Sequence, residues 1–283
     1  MDTTAFRGLY QNLDGAHRAN LLSEALPGAW GFLQAVPSKQ LGLAFEHQEF
    51  LTEISARLGL PLTAGDAWCP LCDSILDRHG GHGADKLRGH NAARNDLGRL
   101  AAAAGLCPKL EKAGLLPPRP DCPTDPGRRR PADVYLPCWE GGAPAALDLA
   151  IVSPQRQGVL AAASAEAGAA AKEYEALKAS HLETRAQCEN QGIRFCPMVA
   201  EPSGGWGPSG LRVLRRLAKV ASARDGRPPG DFFAQYLQGL CVVIRRAHAR
   251  AALRRYCGAA AEAAEAAETP EALAGPMAAL DLA

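Results

Sequence analysis

The sequence predicts an α/β protein, with a central sheet flanked by helices, a helical region ahead of it and a small knuckle-like segment between the two. Three observations carry this. Short strand-like runs at Asp133–Leu136, Ala146–Val152 and Gly192–Glu201 are bounded by Gly and Pro. Long helical patterns precede and follow those runs. Cys69-Pro-Leu-Cys72, with His79, His82 and His90 after it, marks a loop-rich stretch with little core of its own. A chain of 283 residues, 47% hydrophobic and 22% charged, can bury one sizeable core or two modest ones.

Taken in order, residues 1–44 are loosely patterned and interrupted by Pro27, Gly28 and Pro37. Phe45–Leu58 is expected to be a helix, because Phe50, Leu51, Ile54 and Leu58 share one face and Gly59 ends it. Residues 1–66 thus form a helical N-terminal region, and 67–92 the knuckle-like segment. Asn91–Ala104 reads as an amphipathic helix stopped by Gly105, and Leu116–Arg130 as a Pro- and Arg-rich connector. The two aspartate-bearing runs flank a turn containing Gly142 and Pro144. Val159–Gln187 is expected to be one alanine-rich helix, poor in bulky residues and able to lie close to the sheet. Gly192–Glu201 alternates like a half-buried strand, a third or fourth strand beside Asp148. Residues 93–225 are expected to form the core, with 226–283 supplying C-terminal helices and an Ala/Glu-rich tail. Leu211–Ala223 and Asp231–Cys257 are helical, the second capped by Asp231.

The net charge is only +1, but the basic residues are clustered: Arg128, Arg129 and Arg130 precede the first aspartate run, and Arg212, Arg215 and Arg216 share a helix. A further helix carries Arg245, Arg246, Arg250, Arg254 and Arg255. Nucleic-acid binding needs local positive potential rather than a high total charge. Nine scattered cysteines and no basic-then-apolar start point to a reducing compartment without a disulfide framework. No apolar run is long and clean enough to span a membrane.

The chemistry centres on Pro131–Ser153. Asp133 and Asp148 each interrupt a run that otherwise favours burial, and a hairpin between them would set the two carboxylates face to face. Burying like charges side by side is costly unless a cation lies between them. Hard oxygen donors suit Mg²⁺ or Mn²⁺. Taken singly, Asp133 also suits a turn cap and Asp148 a solvent face.

Arg130-Pro-Ala-Asp133, then Asp148 inside Leu-Asp-Leu-Ala-Ile-Val, then a helix bearing Lys178, resembles the metal-binding core of the PD-(D/E)xK nucleases. The resemblance is closest to the restriction-like endonuclease domain of non-LTR retrotransposons, and it runs from about Ala29 to Arg255. It implies a restriction-endonuclease-like mixed sheet. It also implies one or two Mg²⁺ ions held by Asp133, Asp148 and the Leu149 carbonyl. Position 150 is Ala, so the lysine must come from the following helix, as in retrotransposon members; Lys178 is the first choice and Lys172 the second. Glu111 is a candidate for a further ligand or water-orienting group, and also reads as a surface glutamate beside two lysines.

Two thiolates on a knuckle with two imidazoles can close a tetrahedral zinc site. The spacing Cys-x2-Cys-x9-His-x7-His nominates Cys69, Cys72, His82 and His90, with His79 as a less favoured third ligand. The resemblance implies such a knuckle just before the nuclease fold, followed by an Arg-His-Asn segment that Gly89-His90-Asn91 resembles. No cysteine follows His82 at short range, so either His90 is the fourth ligand or the knuckle has lost its zinc. The resulting expectation is a nuclear, Mg²⁺-dependent DNA endonuclease with structural zinc. Its expected partners are duplex DNA and a reverse transcriptase or element RNA. The alternatives are a catalytically silent DNA-binding module and a zinc-stabilised protein-interaction domain.

Overall fold

The computed structural model describes residues 3–62, 67–68, 75–76, 86–117 and 130–257. Helices α1 (Thr3–Asn12), α2 (Gly15–Glu24), α3 (Gly31–Gln34) and α4 (His47–Leu58) lead into a two-residue antiparallel pair, β1 (Ala67–Trp68) with β2 (Ile75–Leu76). Next come α5 (Lys86–Ala103), β3 (Lys109–Leu110), β4 (Val134–Leu136) and β5 (Ala145–Ile151). Helices α6 (Leu160–Ala163), α7 (Ala169–Ser180) and α8 (Thr184–Asn190) carry the chain to β6 (Arg194–Ala200), and α9 (Pro208–Asp225) and α10 (Pro229–Cys257) follow. The order in the main sheet is β3-β4-β5-β6. The first two pairings are antiparallel and β5 pairs with β6 in parallel, so this is a mixed α/β architecture.

The period-2 alternation sorts the sheet into two faces. Val134, Leu136, Leu147, Leu149, Met198 and Ala200 join Leu97 of α5, Leu214 and Leu217 of α9, and Leu240 and Ile244 of α10 in the largest core. Burying each such leucine is worth roughly 1.5–3 kcal/mol. The other face packs Ala150 and Val199 against Ala163, Ala170 and Ala171, and Tyr135, Ala146 and Phe195 against Cys188 and Ile193. Alanines on α6 and α7 let those helices approach closely, as the alanine-rich run implied.

Several elements differ from expectation. The loosely patterned stretch 1–44 holds two ten-residue helices; Asp14 caps α2, its carboxylate accepting the His17 N–H at 2.8 Å. The run Val159–Gln187 is broken, because Gly168 turns left-handed (φ 78°) ahead of α7 and Leu182 and Glu183 are left-handed ahead of α8. Helix α5 starts five residues before Asn91 and crosses the boundary expected after residue 92. Asp231 lies in the first turn of α10, which begins at Pro229, and is not its cap. Residues 258–283, expected as a tail, lie outside the described residues.

Helix α4 follows its apolar pattern only at Ile54, which packs against the Phe32 cluster. Phe50, Leu51 and Leu58 are exposed, whereas Glu49, Thr52 and Glu53 are buried. Cations on α10 account for this. Arg245 donates to Glu53 (3.0 Å), Glu24 (2.5 Å), the Ser203 carbonyl (2.9 Å) and the Ala29 carbonyl (3.0 Å), with its guanidinium over the Phe32 ring. His248 Nδ1 lies 2.7 Å from Glu53, and Arg250 donates to Glu49 at 2.6 Å. Removing one member of such a network costs about 3–5 kcal/mol, because it strands a buried charge.

Glu201, just after β6, is 1% exposed. Among the described residues, no well-formed hydrogen bond engages either carboxylate oxygen. Burial pushes its pKa to about 7, with Ser23 and the Ala171 N–H opposing weakly. The folded-state pKa lies above the ordinary 4.5. The protonated carboxyl therefore contributes stability that is complete below pH 4.5 and is lost as pH rises through about 7. At about 1.4 kcal/mol per pK unit, the loss is on the order of 3 kcal/mol. Glu201→Gln should flatten the decline in urea-denaturation stability over that window; a decline as steep as that of the unaltered protein would rule out Glu201 as its source.

Candidate active site

Strand pairing brings Asp133 and Asp148 together. Val134 stands opposite Leu147, where the ladder ends, and the Asp133 N–H donates to the carbonyl of that same Leu147 at 2.9 Å, a bulge-like contact that keeps Asp133 against β5. Asp133 lies two residues before Tyr135 and Asp148 two residues after Ala146, both of which pack on the face away from the main core, so the two acids project from one face. The two carboxyls lie within hydrogen-bonding reach of each other, on the side of the sheet covered by α7. The turn that allows this hairpin uses Gly141 and Gly142, both left-handed, at φ 65° and 81°.

Cationic groups reach the pair from two directions. Lys178, in the last turn of α7, donates from Nζ to Asp148 Oδ1 at 2.7 Å. His90 of α5 places Nε2 3.1 Å from Asp133 Oδ2, with Nδ1 3.4 Å from Asn91 Oδ1. The Leu149 N–H donates to the same Asp133 oxygen at 2.6 Å. A strand residue directs its N–H and C=O to the same side, so the Leu149 carbonyl leaves β5 on the Asp133 side as well. The four side chains are 18–23% exposed, so the pair is sheltered yet reachable.

The two acids are driven apart in acidity. Burial pushes the Asp148 carboxyl up to about 6, the Lys178 ammonium pulls it back, and Asp133 adds to the rise. Burial acts on Asp133 too, but His90, the Leu149 N–H and Lys178 outweigh it and hold that carboxyl below the usual range. The hydrogen bond to Asp133 favours the imidazolium and raises His90 against the effect of burial. A pair split in this way holds one firm negative charge and one group that gains or loses a proton near neutrality.

Glu111 is placed differently from the aspartates. It follows β3 with φ 46°, and its N–H donates to the Asp133 carbonyl at 2.9 Å. Its carboxylate is taken up by Arg94 and by Arg130 (3.2 Å). Of the two candidate lysines, Lys178 is at Asp148, and Lys172 pairs with Glu166 on the surface.

His90, expected as a zinc ligand, has its ring 3.1 Å from Asp133, because α5 begins early enough to carry it to the head of β4. Nothing in its spacing from Cys72 revealed this role; the nearest signal was its place in Gly-His-Asn at the start of a helix. Cys69, Cys72 and His82, like His79, lie outside the described residues, and β1 and β2 bracket positions 69–74 in sequence. Among the described residues, no group of three or more His, Cys, Asp or Glu side chains is arranged to hold a metal ion.

The basic helices divide in the same way. Arg245, Arg246 and Arg250 of α10 are committed to Glu24, Glu49 and Glu53. Arg212, Arg215 and Arg216 on α9 are exposed, Arg216 lying 3.6 Å from Glu140. No helix among the described residues is long and apolar enough to cross a membrane. No protein-family model, curated protein or solved structure matches the chain.

The Lys178–Asp148 contact yields a direct check. Replacing Lys178 with Met removes the main influence lowering the Asp148 pKa. A carboxyl-detected NMR titration in metal-free buffer should then find Asp148 above about 6. An unchanged midpoint would mean that the ammonium does not rest on this carboxylate in solution.

Proposed function

We propose that this chain is a metal-dependent DNA endonuclease of the restriction-like type. The observation that carries the reading is the convergence of Asp133 and Asp148 across β4 and β5, with Lys178 on Asp148. This is the arrangement that the resemblance implies: an acid heading one strand, a second acid on the next, and a lysine on the helix that follows.

The residues fit a hard divalent cation. Asp133 and Asp148 would supply carboxylate oxygens and Leu149 a peptide oxygen, a donor set suited to Mg²⁺ or Mn²⁺. Because one member of that set is main chain, it does not depend on a third acidic or imidazole side chain. Bound there, the ion supplies a water acidic enough to attack phosphorus and charge to stabilise the phosphorane-like transition state.

The chain's own groups have separable tasks. Lys178 would release Asp148 and place its ammonium on the attacking water or a non-bridging phosphate oxygen, where negative charge builds. His90 and the Leu149 N–H would hold Asp133 in one rotamer, so that its free oxygen faces the site. Arg94 and Arg130 would keep Glu111, and through it the end of β3, against Asp133.

A second reading, a DNA-binding module without catalysis, is favoured by one specific feature: Lys178 and His90 already satisfy both carboxylates. Supercoiled plasmid with Mg²⁺ or Mn²⁺ separates the two. The unaltered protein should nick it, and Asp148→Ala should lower the rate on the order of a hundredfold or more while duplex binding persists. Equal nicking by the variant would overturn the assignment, and binding without nicking by the unaltered protein would establish the second reading.

A further inference from the structure

We propose that a cleft between α7 and α9, set apart from the aspartate pair, seats a backbone phosphate of the same DNA. The cleft is open, about 330 Å³ in volume, with Trp206, Leu211 and Pro27 among its apolar walls and Lys172, Arg212 and Arg215 as its cations. Arg212 and Arg215 are exposed and one turn apart on α9. Arg212 forms no hydrogen bond or ion pair among the described residues; Arg215 rests its guanidinium over the Phe233 ring, 5.1 Å from the centroid.

The acids nearby leave this charge standing. Glu166 pairs with Lys172 at the surface. Glu175 is turned inward to the start of α9, accepting the Ser209 N–H at 2.9 Å and the Gly210 N–H, with Arg212 acting on it only through space. Glu175 thus closes the helix terminus, and the two arginines remain to meet an outside anion.

The shape favours a polymer over a free ion. A small anion is held by short donors converging in a closed site, whereas these cations are long side chains on two helices beside an open apolar floor. The cleft also has a fixed relation to the hydrolytic site, on whose assignment this proposal rests. Lys172 and Lys178 lie on one helix, roughly 9 Å apart along its axis at 1.5 Å per residue. One DNA strand carries a charge about every 3.4 Å of duplex axis. That axial separation is on the order of the spacing of a few phosphates, so one duplex can reach both places.

Affinity for a short duplex, measured by fluorescence anisotropy over a series of salt concentrations without divalent metal, tests the proposal. The variants are Arg212→Gln/Arg215→Gln, Lys172→Gln, and Lys39→Gln as an exposed control. Each lost phosphate contact should reduce the slope of log K against log salt by about one. The double variant should bind about tenfold or more weakly at low salt with a shallower slope, and Lys172→Gln should show a smaller loss in the same direction. Lys39→Gln should match the unaltered protein. Slopes and affinities equal to those of the unaltered protein would overturn the proposal, while Asp148-dependent nicking would leave the hydrolytic reading standing. No duplex binding by the unaltered protein would overturn both. Arginine-dependent binding to anionic lipid vesicles in place of DNA would assign the cleft to a membrane surface and overturn the proposal. All four substituted residues are surface groups, and thermal melts of each variant confirm that binding is compared between folded proteins.

Discussion

A single register, Val134 opposite Leu147, decides whether there is a site at all. With that pairing Asp133 and Asp148 share a face. A slip of one residue would send the acids to opposite sides and turn Leu147 and Leu149 out of the main core. The apolar face therefore enforces what the acidic face could not maintain. Like charges in a half-buried setting repel and lose hydration, and nothing about them favours proximity. Their approach is held by leucines packed on the far side of the sheet against α5, α9 and α10.

Compensation for the acids is drawn from separate layers. Lys178 comes from the helix that crosses between the parallel strands, and His90 from α5, which packs on the opposite face and reaches the head of β4. Each cation serves a different carboxylate. The acidities consequently part, Asp133 falling and Asp148 rising. Moving either helix would change the charge state of the pair without touching the strands.

The central features were legible because they follow short-range rules. Alternation placed the two aspartate strands to within a residue or so, and β6 followed from the same signal, though its parallel direction did not. Lys178 was separable from Lys172 only as a preference, since both sit on one alanine-rich helix. What the sequence did not display depends on distant partners. Phe50, Leu51 and Leu58 define a face of α4, but only Arg245, His248 and Arg250, almost 200 residues away, decide that the opposite face is buried. His90 was legible as a polar residue with a task, but its contact with Asp133 was not, because the early start of α5 carries no strong capping signal. The break in the Val159–Gln187 run lies in the left-handed backbone at Gly168, Leu182 and Glu183, and only the first of these is marked by residue type.

The buried acidic face of α4 has a consequence for how the chain divides. A core excised at residue 93 would keep Arg245, Arg246 and His248 while discarding Glu24, Glu49 and Glu53, the carboxylates with which they pair across to the N-terminal helices. The N-terminal helices thus act as an electrostatic lid over α10, and the smallest autonomous unit must span both ends of the described chain. Dissecting this protein into a head and a catalytic body would leave neither part in electrical balance.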